Sequence, residues 1–109
     1  MTPSVVNLPE ELVFDWDQGN LNKNRLKHNV TWEECEEIFY NEPLLVNPDI
    51  KHSQQEVRYK VLGQTNLGRG LLLAFTFRND KIRVISARDQ SRKETNVYQQ
   101  LSIAKIHQE

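Results

Sequence analysis

Covalent and metal staples are scarce in this chain of 109 residues. One cysteine, Cys35, excludes an internal disulfide and suits a reducing compartment, so the cytoplasm is the expected setting. His28, His52 and His107 have no short ligand spacing, and Cys35 falls on an apolar helix stripe, so neither a metal nor another cofactor is expected. The longest apolar run, Leu71–Phe75, is far too short to span a membrane. Residues Met1–Glu11 carry neither the basic start nor the apolar core of a signal peptide. There is no internal repeat and no low-complexity stretch. What remains, at 38% hydrophobic and 27% charged, is the composition of one soluble domain with a single core.

A strong net charge is also lacking, but the formal value of −1 conceals a split. Residues 1–50 hold three Lys/Arg against ten Asp/Glu, and residues 51–109 hold eleven against five. Two explanations stand side by side. The basic half faces a polyanion such as RNA, or the two halves attract one another within the fold.

Along the chain, residues 1–12 lack periodicity and read as a loose tail before a domain at 13–109. Val13–Trp16 alternates as a short strand. Asp17 is placed to cap a helix through Leu26, with Asn29 suited to a left-handed end. That helix has few apolar residues, so it is either short or covered from outside. Thr31-Trp32-Glu33-Glu34 forms a capping box for a second helix, whose stripe is Trp32, Cys35, Ile38 and Phe39. Strands are expected at Leu44–Val46, Glu56–Leu62, Leu71–Phe77 and Lys81–Ala87, the last two joined by a tight Asn79-Asp80 turn. Ser91–Glu94 caps a final helix with a stripe of Val97, Leu101 and Ala104. Helices segregated from a meandering antiparallel sheet predict an α+β fold of two layers.

Counting outward from Asn79-Asp80 pairs Arg78 with Lys81, Phe77 with Ile82 and Phe75 with Val84, then Leu73 with Ser86 and Leu71 with Arg88. Strand alternation thus leaves Arg78, Lys81 and Arg83 on one face, and sets Arg88 at the far end of the apolar face. Upstream, His52, Glu56 and Arg58 converge at the entry to a strand. Cleaving RNA without metal needs a base for the 2′-hydroxyl, a cation for the phosphorane and an acid for the leaving oxygen, and these residue types can supply all three.

Taken together these pieces resemble the BrnT toxins. Phe14-Asp15-Trp16-Asp17, then Asn24 with Lys27-His28, then Thr31-Trp32-Glu33-Glu34 match the family's opening. His52-Ser53, Glu56-Val57-Arg58, Gly63, Phe75–Arg78, Ile82–Arg88, Glu94 and Tyr98 continue the match in order. The resemblance implies a RelE-like fold and a ribonuclease toxin of a type II toxin–antitoxin pair that inhibits translation, its RNA substrate free or ribosome-associated. It further implies a BrnA-like ribbon-helix-helix antitoxin, a complex built on an antitoxin dimer, and promoter DNA bound only through that antitoxin. On this reading His52, Glu56, Arg58, Arg78 and Arg83 are the catalytic candidates, and Lys27, His28, Lys81 and Arg88 the substrate-binding ones. The chain departs from the family pattern at Asn29, Glu42 and Gln90-Ser91, and Gln18-Gly19-Asn20 lacks a lysine common in the first helix. Two other classes stay open: a non-catalytic module that binds RNA or protein, and a structural partner that uses its sparse first helix as an interface.

Overall fold

A computed structural model describes residues 8–108, the side chains of 103–108 excepted. Of the predicted tail, residues 1–7 lie outside this range, while Leu8 and Leu12 lie against the core. Ala104 of the predicted final stripe also has its side chain outside it.

Four antiparallel strands, β1 (Leu45–Pro48), β2 (Arg58–Gln64), β3 (Gly70–Arg78) and β4 (Lys81–Asp89), pair in chain order as an open sheet. Three helices accompany it: α1 (Lys23–His28), α2 (Trp32–Ile38) and α3 (Arg92–Gln108). The fold is α+β, as predicted. Alternation puts Tyr59, Val61, Leu71, Leu73, Phe75, Ile82, Val84 and Ala87 on the inner face, where Cys35, Ile38 and Phe39 from the α2 segment complete the core. Phe75 is the hub of the aromatic packing, with ring centroids 5.4 Å from Phe39, 5.3 Å from Tyr59 and 5.6 Å from Phe77. Gly63 lets α2 approach the sheet. A Cβ there would come within 3.0 Å of Ile38 Cβ.

Local signals explain most element ends. Thr31 and Glu34 form the reciprocal capping box of α2. Asn29 closes α1 in the left-handed region, at φ 55°. Asn79 and Asp80 both have positive φ, at 53° and 63°, as a type I′ hairpin requires. At α3, Glu94 N–H donates to Ser91 Oγ and Ser91 N–H donates to Glu94 Oε1, the second predicted box.

Several boundaries differ from prediction. Val13–Trp16 makes only a single parallel bridge, Phe14 to Ile82, along the open side of β4. β2 begins at Arg58 and not Glu56, so Val57 precedes the sheet and is exposed. β1 starts one residue later than expected and runs on through Pro48. α1 begins at Lys23 after turns over residues 18–22, and its N-cap is Asn22. Asp17 caps the turn ahead of α1 instead, its carboxylate accepting from the Gly19 amide while it also holds Arg83.

The scarcity of apolar residues in α1 has a physical answer within the chain. With the turn before it, α1 docks on β4 through polar bonds: Asn20 Nδ2 donates to Val84 O, Lys23 Nζ to Ile85 O, and Ala87 N–H donates to Asn24 Oδ1. These side chains satisfy edge groups that a fifth strand would otherwise pair. On α3, Tyr98 packs inward with its hydroxyl on Pro43 O, while Val97 and Leu101 are 44% and 41% exposed. Val97 and Leu101 of the predicted stripe therefore point outward, because docking is set by Tyr98.

Candidate functional site

The outer face of the sheet is built from three cross-strand rows. Leu45, Leu62, Leu72 and Arg88 form one, and Asn47, Lys60, Ala74 and Ser86 the next. Arg58, Thr76 and Arg83 form the third, nearest the hairpin end where Arg78 faces Lys81. A bulge between the second and third rows gives β4 one extra residue, Ile85, for the step from Phe75 to Ala74. Beyond it Leu73 pairs with Ala87 and Leu72 with Arg88, instead of Leu73 with Ser86 and Leu71 with Arg88. The extra residue reverses every later side chain. The predicted place of Arg88 on the apolar face is therefore corrected: it lies on the outer face with Arg58 and Lys60. Burial explains the choice, since small Ala87 rather than Arg88 enters the core.

Two adjoining clefts open on this surface, of about 320 and 370 Å³, and both are lined by His52 and Arg58. Lys51, Gln54, Gln55 and Glu56 complete the first. Asp49, Lys60, Ala74, Ile85, Ser86 and Arg88 help line the second. His52 ends a short 3-10 turn (Ile50–His52) that carries it to the mouth of β2. The turn is pinned from both sides, with Asp49 N–H donating to Arg58 O and Arg58 N–H to Ser53 Oγ. Ser53 Oγ in turn donates to Asp49 O. His52 and Ser53 thus both turn back on Asp49. These bonds fix the loop that presents His52.

His52 Nδ1 lies 2.9 Å from Asp49 Oδ2, with the Asp49 side chain 8% exposed and His52 52% exposed. A carboxylate on Nδ1 favours the tautomer that carries its proton there and leaves Nε2 as an acceptor. Glu56 stands between two arginines, its oxygens 3.9 Å from Arg58 and 3.6 Å from Arg78. The arrangement joins a directed imidazole, a carboxylate and two guanidiniums. It can move protons and bind phosphate oxygens in one place.

Of the remaining candidates, Arg88 lines the second cleft, whereas Arg83, Lys27, His28 and Lys81 line neither. Arg83 donates to both oxygens of Asp17 at 2.9 Å, lies 3.5 Å from Asp15 and is only 14% exposed. The Arg83 guanidinium holds Asp17 below its ordinary pKa, helped by the Gly19 amide. Gly19 permits this clamp, since a Cβ there would come 3.1 Å from Arg83 Nη2. Lys27 and His28 end α1, where the His28 and Asn29 carbonyls accept from Arg69, and neither lines the two clefts. Lys81 is exposed at the hairpin end. Arg88 donates to Glu94 through two bonds of 2.8 and 3.0 Å, which lowers the Glu94 carboxyl to about 2.

Asp49 and Lys60 were missed as site residues. The signal for Asp49 was its place three residues before His52, and for Lys60 its alternation with Arg58 on the outward side of β2. Arg69 was overlooked altogether: it binds Glu34, Asp89 and the end of α1 together, so its charge is spent on the fold. Cys35 is buried, and burial pushes its thiol up to about 12, which removes it as a nucleophile. Among the described residues no three His, Cys, Asp or Glu side chains gather as a metal ion requires. No helix among them is long and apolar enough to cross a membrane.

Residues 16–94 match a family model described as the ribonuclease toxin BrnT of type II toxin–antitoxin systems. No curated protein matches the chain at a significant level.

Proposed function

Because the chain belongs to the BrnT family of type II toxin–antitoxin ribonuclease toxins, we propose that it cuts RNA without a metal ion in the cleft of His52, Glu56 and Arg58, with Arg78 beside Glu56. The observation that carries this reading is the grouping of a carboxylate-directed imidazole with Glu56 between two arginines on one open surface. In the reaction, the 2′-oxygen attacks the adjacent phosphorus as its proton passes to a base, and the O2′–P bond forms. The P–O5′ bond breaks as an acid protonates the leaving oxygen. The products are a 2′,3′-cyclic phosphate and a 5′-hydroxyl.

His52 and Glu56 are the two proton carriers, one as base and the other as acid. Arg58 and Arg78 stabilise the extra negative charge of the phosphorane, which is worth most where water is thinned out. Displacing the Glu56 carboxylate from these arginines when phosphate arrives frees it for proton transfer. Lys81 extends the basic surface at the hairpin end, and Lys27 and His28 provide backbone contacts to a longer RNA. Arg83 acts at one remove, by fastening the Asp15–Asp17 segment beside β4.

Cutting RNA in this way inhibits translation in the cytoplasm until a BrnA-like ribbon-helix-helix antitoxin covers the basic face. The complex is built on an antitoxin dimer, which alone contacts promoter DNA. The RelE-like layout implied by the family suits this role, since the sheet presents its cations on one exposed side.

The test is RNA cleavage by purified protein in EDTA, with the product ends analysed, both with and without ribosomes. The expected result is cleavage that leaves 2′,3′-cyclic phosphate and 5′-hydroxyl ends. RNA left intact under both conditions, or 3′-hydroxyl ends typical of metal-activated water, overturns the proposal.

A further inference from the structure

We propose that the outer sheet surface beside His52 is a nucleobase subsite, with Leu72, Ala74 and Ile85 as its floor and Arg88 as its wall. The inference rests on the RNA-cleaving reading and adds to it where the base next to the cut phosphate goes. The cleft of about 370 Å³ reaches from His52 and Arg58 across to Arg88, at the lower end of the range of about 300–1,000 Å³ that ligand pockets occupy. Its centre is low because two small residues, Ala74 and Ser86, face each other across β3 and β4. Long side chains stand around them instead: Arg58 and Lys60 on β2, Arg88 on β4. The floor is therefore aliphatic and the rim mainly cationic, its carboxylate Asp49 being engaged by His52 at 2.9 Å. Charge complementarity selects a guest with an apolar flat body and an anionic edge, which is a nucleotide rather than a neutral metabolite.

The bulge at Ile85 makes the subsite. Without it Arg88 falls on the inner face, and Ile85 would not stand as an extra apolar group between the two rows. Arg88 differs from the other rim cations in how its donors are used. Nη1 and Nη2 bond to the two oxygens of Glu94, and Nη1 also bonds to Asp89 O at 3.0 Å. A guanidinium so engaged has little left for a phosphate but keeps its planar face, on which a base can stack. Arg58 and Lys60 have no such bidentate tether and are the rim groups that meet the phosphate. A nucleotide seated with its phosphate at Arg58 and His52 and its base over Ala74 is splayed away from its neighbour, the conformation that in-line attack by the 2′-oxygen requires. The floor offers hardly any fixed hydrogen-bonding partner, so this subsite grips bases with little sequence discrimination.

Binding of adenosine 3′-monophosphate and of inorganic phosphate to the purified chain, measured by calorimetry, tests the subsite. The wild type is expected to bind the nucleotide about tenfold or more tightly than phosphate, because stacking adds affinity that phosphate alone lacks. Ala74→Ile, and independently Ser86→Ile, should erase that advantage while leaving phosphate affinity unchanged, since both positions face outward on the sheet. Equal affinity for the two probes in the wild type overturns the subsite, as does an advantage that survives both substitutions. If the substitutions spare nucleotide binding but abolish antitoxin binding, the floor is a protein groove and the proposal also falls. Metal-free RNA cleavage by the wild type is scored separately, so the subsite can fail while the ribonuclease reading stands.

Discussion

Neighbouring carboxylates decide what the arginines of the sheet are able to do. Arg83 is bound bidentately by Asp17 and supported by Asp15, whereas Arg58 and Arg78 share one looser Glu56. Arg83→Ala should therefore lower Tm while sparing the cleavage rate of the protein that remains folded, and Arg58→Ala should do the reverse. An Arg83→Ala variant with an unchanged melting curve and no activity would put Arg83 back in the catalytic site. Glu94 gives a pH prediction. Arg88 and then the Ser91 amide hold its folded carboxyl at about 2, against an ordinary 4.5, despite some opposing burial. A lowered folded pKa contributes stability that is complete above about 4.5 and is lost as pH falls towards about 2. Acid titration of Glu94→Gln followed by circular dichroism should show a shallower fall in stability across that window than the wild type; an identical slope would contradict the pairing.

At the level of elements, α1 is fastened by amides and not by a greasy face. Asn24 is 3% exposed and its Oδ1 accepts from the buried Ala87 N–H. Asn24→Ala should cost about 1–3 kcal/mol in denaturant unfolding, because the Ala87 amide is left without a partner. Leu26→Ser, at an exposed position of the same helix, should cost almost nothing. Thr31→Ala should cost about 1 kcal/mol through the lost cap, or roughly 4–8 °C in Tm for a domain of this size. These elements were legible in the sequence to different degrees. Both capping boxes, the Asn29 end and the Asn79-Asp80 hairpin were readable because each depends on residues a few positions apart. The α1 start was not, since Asp17 is claimed by Arg83, a residue 66 positions away. The β4 bulge was likewise hidden: periodicity alone cannot say where an extra residue is inserted, and Arg88 changed faces because of it. The His52, Glu56 and Arg58 grouping was visible as a short segment, with Asp49 only three residues before His52, while the reach of Arg78 to Glu56 needed the folded chain.

Across the whole molecule, the split between an acidic first half and a basic second half is partly consumed within the fold. Arg69 pairs with Glu34 and Arg83 with Asp15 and Asp17, each joining the two halves. Attraction between the halves thus accounts for Arg69 and Arg83, and the cations around His52 are the share left facing outward. RNA held by so few phosphate contacts should respond only modestly to salt, with a shallow slope of a few units in log affinity against log salt for a single strand. The central claim is that this outward share, together with His52 and Glu56, cuts RNA unaided by metal. Single-turnover cleavage of one RNA in EDTA, compared between the wild type, His52→Ala and Glu56→Gln at matched folded concentration, tests it most directly. The wild type is expected to cleave, with a fall of about 10²–10⁴-fold in each variant, the usual worth of a proton-transfer group. Wild-type rates retained in both variants, with their folds intact, would contradict that claim.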